Sequence, residues 1–271
     1  MTNEHADSES DEGIDLWTLI QSYCLGVDRE LVARLVAWPP DFAQIHVHEV
    51  IGGMLARQAT LTKDIAHAPS LWTGHSAPIL LRAMADAYIN ISWLLLDPVE
   101  RCSKFILFGL GQAKLELEHR RTQIGTREPT APEAAILEAA EQWIDRQRIN
   151  WLLDVDLGKW SSLTVRQMAE EAGCIDFYNY VYMPFSACAH SMWHHVARYD
   201  LVECNNPLHR HHRRPISEAR APDINYWTLA AKYWSKTLGT FDKAFMLNIA
   251  EPSSYESLVS AVTNSVDHDP Y

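Results

Sequence analysis

Three polar side chains interrupt the most apolar helical segment of the sequence, and their types and spacing could do chemistry. Arg82, Asp86 and Asn90 recur every four residues between Pro78 and Leu96, where nearly all other positions are apolar. Residues four apart lie on one face of an α-helix, and a helix that is apolar on all its faces belongs in a protein interior. The spacing predicts a buried Arg–Asp pair, in which Arg82 holds an anionic group and Asp86 orients it.

A second polar stripe follows later in the chain. One carboxylate cannot satisfy all five N–H groups of an arginine, so we expect Arg82 to find further acceptors on another helix. Because histidine titrates near neutral pH, it can donate or accept a proton there. The stripe has a period of four residues and consists of Tyr178, Tyr182, Ser186, His190 and His194. We predict a catalytic set of Arg82, Asp86, Tyr182, Ser186 and His190, with Asn90, Tyr178 and Trp160 as ligand-binding residues.

Two other interpretations of these residues stay open. In the first, the Arg–Asp pair only fixes helix register, and the protein is a structural or oligomeric scaffold without catalysis. In the second, the protein is a metal-dependent hydrolase, because two histidines four apart on a helix can share a metal ion. Such a site resembles the three-histidine centre of helical bundles of the DinB family, although an HExxH glutamate is missing. Its ligands would come from His46, His48, His190 and His194. Our first interpretation requires no metal or other cofactor.

Both stripes belong to a region, residues 78–199, that resembles a bacterial all-helical family of unknown function. One carrier of the resemblance is LLRAMADAYINISWLL, which matches an Arg-x-x-x-Glu/Asp helix. The other is WSSLTVRQMAEEAGCIDFYNYVYMPFSACAHS, which combines a Trp, a short helix and a Tyr-x-x-x-Ser-x-x-x-His pattern. The resemblance implies importance for Arg82, Asp86, Trp160, Tyr182, Ser186 and His190. Aspartate at position 86 departs from the glutamate common in that family and has a shorter reach.

A looser resemblance connects the chain to HEPN-type helical proteins, many of which are ribonuclease toxins or defence effectors. It implies an intracellular defence or stress function and RNA as a ligand. HEPN ribonucleases carry an arginine followed by histidine after four to six residues on one helix, and this spacing does not occur in the chain. Their acid–base mechanism therefore does not transfer, and the sequence leaves open whether the protein is an enzyme.

Helical periodicity and missing strand patterns predict an all-α, single-domain bundle of roughly seven to nine helices over residues 14–265. Residues 1–13 are expected to form a disordered acidic tail, and residues 266–271 a second tail. The longest predicted loop covers residues 203–223 and contains HRHHRRP, which is solvated or touches phosphate or an acidic partner. We predict helices near 14–38 (interrupted at 26–28), 41–65, 76–96, 99–121, 132–153, 164–172, 176–199 (kinked at Pro184), 224–249 and 253–262.

Composition excludes several function classes. A formal net charge of -12 opposes a nucleic-acid coat function, and the chain lacks a GxxxxGK[ST] loop, a GxGxxG fingerprint and a GxSxG elbow. No apolar stretch is long enough to span a membrane. The five cysteines include no CxxC pair, which is typical of reduced thiols in the cytoplasm. We therefore expect a cytoplasmic effector with a polar pocket for an anionic ligand or RNA, compatible with a protein partner or a homodimer.

Overall fold

We describe the fold from a computed structural model that covers residues 15–151, 161–218, 220–250 and 252–266. The predicted all-α class is confirmed, because helices provide nearly all the regular structure in these ranges. Neither predicted tail is covered, apart from Val266. The α-helices are α1 (Leu16–Ala37), α2 (Ile45–His67), α3 (Ala77–Leu94), α4 (Pro98–Ile124), α5 (Ala131–Trp151), α6 (Val165–Glu171), α7 (Ile175–Phe177), α8 (Met183–Ala189), α9 (Trp193–Tyr199), α10 (Asn225–Ala244) and α11 (Ser254–Val266).

The chain contains two compact units. The first unit comprises the described residues of Met1–Pro39, Leu55–Tyr88 and Asp176–Tyr271, and the second comprises those of Pro40–Met54 and Ile89–Ile175. Large side chains without exposed surface form the core of the first unit, and burying each of them stabilises the fold by roughly 1.5–3 kcal/mol. They include Ile20, Leu81, Met84, Trp227, Trp234 and Phe241.

A network of charged groups on α1 lies in the core of the first unit. The Glu30 carboxylate accepts hydrogen bonds from Trp234 Nε1 (2.7 Å), the Ser254 backbone N–H (3.0 Å) and the Ser254 hydroxyl (2.6 Å). One turn further along, Arg34 donates from Nε and Nη2 to the two carboxylate oxygens of Asp242, at 2.9 and 2.7 Å. Its Nη1 donates to the backbone carbonyl of Glu30 at 3.0 Å. Every nitrogen of this buried guanidinium therefore has an acceptor.

The predicted interruption of α1 at residues 26–28 is wrong, because the helix runs unbroken from Leu16 to Ala37. Glycine is favoured at position 26 by close packing and not by a break in the helix. A Cβ atom at this position would lie 3.0 Å from Cβ of Ser254, in the first turn of α11. Gly26 therefore allows the last helix to approach the first one closely.

The segment predicted as one kinked helix over residues 176–199 is divided into α7, a π-helical turn, α8 and α9. Tyr178–Tyr182 form the π-helical turn, which closes when the N–H of Met183 donates to the Tyr178 carbonyl. Pro184 follows in the first turn of α8, where a missing N–H costs least. These divisions raise the number of helical segments in the described ranges above the predicted seven to nine.

The end of α8 explains why α9 is a separate helix. Ser191 has a left-handed backbone (φ 49°), and its N–H donates to the Cys188 carbonyl at 3.1 Å. The next N–H, from Met192, donates to the Ala187 carbonyl at 2.9 Å. These two bonds form a Schellman motif, which ends an α-helix. Consequently α8 and α9 do not share one continuous helix face.

A small antiparallel sheet replaces part of the predicted loop over residues 203–223, which corrects the prediction that strands are missing. Strand β1 (Leu201–Glu203) pairs with β2 (Arg213–Pro215), with Val202 opposite Arg214. The HRHHRRP segment supplies the turn and the second strand of this hairpin. Most of its side chains are exposed, as expected for a solvated segment.

In the second unit, the guanidinium of Arg101 stacks on an aromatic ring. The Arg101 guanidinium lies 3.8 Å from the centre of a Trp93 ring and donates to the Trp93 carbonyl at 2.7 Å. Glu171 accepts from Trp93 Nε1 at 2.7 Å and forms an ion pair with Arg101 at 3.4 Å. None of the helices in the described parts of the chain combines the length and apolar character that a membrane crossing requires.

Candidate functional site

Arg82 and Asp86 form the ion pair that their spacing on α3 predicts. Nη1 of Arg82 donates to a carboxylate oxygen of Asp86 one turn later. The two side chains differ in exposure, since 13% of the Arg82 side chain and 40% of the Asp86 side chain is accessible. Burial raises the pKa of Asp86 and outweighs the opposing effect of Arg82. Charge on this carboxylate is therefore less favourable than on an ordinary surface aspartate.

The second stripe provides the further partners that Arg82 needs. Nε of Arg82 donates to the Ser186 hydroxyl at 2.6 Å, and this hydroxyl donates in turn to the Tyr182 carbonyl at 2.8 Å. The Arg82 guanidinium carbon lies 3.3 Å from the centre of the Tyr182 ring, a cation–π contact. The Tyr182 ring also stacks on the ring of Tyr178, with 4.8 Å between the ring centres, so that the guanidinium and the two rings form an aromatic layer. We call Arg82, Asp86, Tyr182 and Ser186 the Arg82 cluster.

The π-helical turn positions the two tyrosines of this layer. Its wider winding places Tyr178 and Tyr182 nearly parallel, with 21° between their planes. Turns of this kind often occur at functional sites, because they are less stable than a regular helix. Burial raises the pKa of Tyr182, as does the neighbouring charge of Asp86. The phenol therefore stays neutral and offers a ring face to Arg82.

Part of the Arg82 guanidinium has no strong partner in the described residues. Short hydrogen bonds use Nε and Nη1 only. The Tyr182 hydroxyl also interacts with Arg82 through a hydrogen bond that lowers the pKa of Tyr182. Among the described residues, no hydrogen bond of ordinary length is assigned to Nη2 of Arg82. The Nη1–Nη2 edge is one with which arginine binds a phosphate or carboxylate through two parallel hydrogen bonds.

Within the described residues, the His190 side chain makes no hydrogen bond or ion pair with the Arg82 cluster, although its backbone N–H donates to the Ser186 carbonyl at 3.0 Å. His190 ends α8, and its exposed side chain makes no hydrogen bond or ion pair with the described residues. His194 is exposed on α9, beyond the Schellman motif. Asn90 lies one turn after Asp86, is half-buried and belongs to the second unit. Trp160, the remaining predicted ligand contact, lies outside the described residues.

The histidines predicted as metal ligands do not form a group of potential ligands in the described residues. His46 is buried, and its Nε2 makes a hydrogen bond with the Val99 carbonyl at 2.9 Å. Within the described ranges, two groups of three side chains bring potential ligand atoms within 4.8 Å of one another, and neither contains His46, His48, His190 or His194. These groups are His75 with His195 and Asp200, and Cys204 with His209 and His212.

Sequence reasoning missed His75 as a candidate. It lies in the turn before α3, outside the helical stripe that carries Arg82, so helical spacing gave no signal for it. His195 and Asp200 carried no signal, because their connection to His75 depends on the turn between α8 and α9.

Two of the buried cysteines are not activated nucleophiles. All five are free thiols, and four of them are buried. Burial raises the pKa of Cys24 to about 11 and that of Cys102 to about 12, so both are protonated at neutral pH. A thiol is a poor nucleophile in this form.

Comparison with known proteins identifies one relationship. The model of a family of unknown function, DUF5677, matches residues 48–207, which is more than half of the chain and includes the whole Arg82 cluster. No curated protein and no solved structure shows a significant match.

Proposed function

Because the chain belongs to the DUF5677 family of unknown function, its activity has to be inferred from its own residues, and we propose that it binds a phosphate-bearing ligand at Arg82. The observation that carries the proposal is the Nη1–Nη2 edge of the Arg82 guanidinium. In this assignment Arg82 binds the anion, and Ser186 and Tyr182 hold the guanidinium in place. Asp86 orients it from the opposite side.

The immobilised guanidinium supports binding rather than a purely structural role. An arginine loses rotational freedom when it grips a ligand, and here two hydrogen bonds and an aromatic face have already restricted it. Preorganisation of this kind strengthens binding without adding a new contact. A structural arginine, in contrast, usually finds a protein acceptor for each of its three nitrogens, as Arg34 does.

We propose single-stranded RNA as the phosphate ligand and intracellular defence or stress as the setting. The support is the row of tyrosines beside Arg82, because exposed aromatic rings stack on bases. The Tyr180 side chain is 78% exposed, and Tyr178 is half-buried. The HEPN resemblance points the same way. His190 has no assigned role, since its side chain makes no hydrogen bond with the Arg82 cluster in the described residues, so the proposal concerns binding and not cleavage.

The test is isothermal titration of the full chain with inorganic phosphate, a nucleoside monophosphate and a short single-stranded RNA. We expect Arg82→Gln to weaken binding by about tenfold or more, because a hydrogen bond to a charged group contributes about 1.5–3 kcal/mol. Its free energy of unfolding should fall by about 1–3 kcal/mol, because the variant removes a largely buried guanidinium but leaves a carboxylate that is 40% exposed and can be hydrated. The affinity for RNA should fall with added salt more steeply than the affinity for inorganic phosphate, because the slope increases with the number of phosphates contacted.

The matched control is Arg166→Gln. Arg166 is an exposed arginine on α6 that pairs with Glu170, so this variant removes the same charge at another position. We expect it to bind like the wild type. Failure of all three probes to bind the wild type, or equal binding by Arg82→Gln, would overturn the proposal. A loss of several kcal/mol of stability in Arg82→Gln, with unchanged affinity in its folded fraction, would favour the structural scaffold.

A further inference from the structure

A separate group of ligating side chains lies in the first unit. It consists of His75 in the turn before α3, His195 on α9 and Asp200 directly after α9. Their potential ligand atoms lie within 4.8 Å of one another, and His75 Nε2 is 3.8 Å from Asp200 Oδ1. We propose that these three residues bind a divalent transition-metal ion. This inference is independent of the Arg82 cluster.

The distances fit a metal centre after a small adjustment. Two ligand atoms on a tetrahedral ion with bonds of about 2.1 Å lie about 3.4 Å apart. The separation between His75 and Asp200, 3.8 Å, is close to this value, and no separation in the group exceeds 4.8 Å. Closing the group around an ion therefore requires side-chain movements of at most about 1.4 Å. His75 is more than one hundred positions away from His195 and Asp200 in the sequence, so it is the fold that brings them together.

The backbone around His75 is fixed by close packing. A Cβ atom at Gly74 would lie only 2.5 Å from Cε1 of Tyr199, so glycine is required for the ring to lie here. The same ring packs against His75 and His195, with ring centres 5.4 and 4.7 Å away. The Cys188 thiol donates to the His75 carbonyl at 3.2 Å. These contacts hold the ligands in place before any ion arrives.

The charge of Asp200 is not used by a neighbouring arginine. Arg213 donates to the Ala197 carbonyl at 3.4 Å, and Arg220 donates to the Tyr199 carbonyl at 2.9 Å. Within the described residues, the ion pair of Asp200 is with His75 alone. A carboxylate beside two imidazoles and without an arginine partner is better suited to a cation than to a structural salt bridge.

The ligand set indicates which ions fit. Two imidazoles and one carboxylate suit zinc, iron(II), manganese or cobalt, whereas calcium and magnesium prefer oxygen ligands. Three protein ligands leave at least one coordination position for water or an anionic ligand, as in catalytic metal centres. Tyr199 forms one wall of the site.

The experiment is a titration of the chelator-treated full chain, free of any polyhistidine tag, with cobalt(II) as the probe. Visible absorption of the bound ion reports binding and geometry. We expect one cobalt ion to bind through this site in the wild type, and His195→Ala and Asp200→Asn to weaken its binding at least about tenfold. Circular dichroism and thermal unfolding of the metal-free variants confirm that they fold.

Two controls make the result specific. His194→Ala removes the neighbouring exposed histidine, and Cys204→Ser disables the other group of potential ligands, so both should bind cobalt like the wild type. The proposal is overturned if the folded wild type does not bind cobalt, or if folded His195→Ala and Asp200→Asn both keep wild-type affinity. It is also overturned if Cys204→Ser alone abolishes the signal.

Discussion

The first unit contains two charged clusters that look alike in sequence and differ in structure. Glu30 and Arg34 on α1 are four residues apart, as are Arg82 and Asp86 on α3. In the first cluster every guanidinium nitrogen has an acceptor, and Glu30 is 4% exposed. In the second, Nη2 of the arginine has no short hydrogen bond, and the carboxylate is half-exposed. The comparison teaches that a complete set of partners marks a structural cluster and an incomplete set marks a candidate site.

The largest effect should follow from breaking the complete cluster. Glu30→Ala leaves Trp234 Nε1 and two donors of Ser254 without their acceptor, so we expect a loss of about 3–5 kcal/mol in the free energy of unfolding. Urea denaturation measures this loss. A change no larger than the one measured for Arg82→Gln would erase the distinction between the two clusters.

A smaller effect, on anion affinity and on stability, should appear when the charge of Asp86 is removed. Its pKa is raised by burial, so the folded protein holds this proton more tightly than the unfolded chain does. The contribution of Asp86 to stability therefore increases as the pH falls from neutrality through the raised pKa toward the ordinary aspartate value. Binding of an anion at Arg82 should strengthen over the same range, because protonation removes a neighbouring negative charge.

Titration calorimetry with sulfate at several pH values checks this, since the charge of sulfate stays constant over the range. Asp86→Asn should bind sulfate several-fold more tightly at neutral pH and lose most of the pH dependence. An Asp86→Asn profile that keeps the wild-type pH dependence would show that another group controls the site.

The smallest effect concerns the aromatic layer. Tyr182→Phe keeps the ring under Arg82 and removes only the hydroxyl. We expect affinity for phosphate to change less than about twofold in this variant. Tyr182→Leu removes the cation–π contact and should weaken binding by several-fold, since such contacts contribute about 0.5–2 kcal/mol. Equal affinities in the two variants would mean that the ring face does not position Arg82.

The sequence predicts the Arg82 cluster because its two halves each repeat every four residues. Periodicity located the apolar helix, the ion pair and the face carrying Tyr182 and Ser186, and the requirement for further acceptors predicted that the two would meet. The Glu30 cluster was not predictable in the same way. Glu30 and Arg34 look like an exposed pair on α1, and their partners Trp234, Asp242 and Ser254 lie more than two hundred residues away.

Some helix ends are predictable from the sequence and others are not. Three helices end in Schellman motifs with a left-handed residue at Gly173, Ser191 and Met246. Glycine adopts this backbone at little cost, so the end of α6 was predicted closely. Serine and methionine give no such signal, and the ends of α8 and α10 were therefore predicted too late in the chain. The missed end of α8 also hid the separation of His190 from His194.

The bonds from Ser254 to Glu30 have a consequence for the order in which the chain acquires its structure during synthesis. Helix α1 leaves the ribosome long before α11, whose first turn completes the acceptor pairing of Glu30. Until then this carboxylate remains hydrated, and α1 cannot settle into its final packing. The nascent protein should therefore become resistant to proteases only when α11 has emerged.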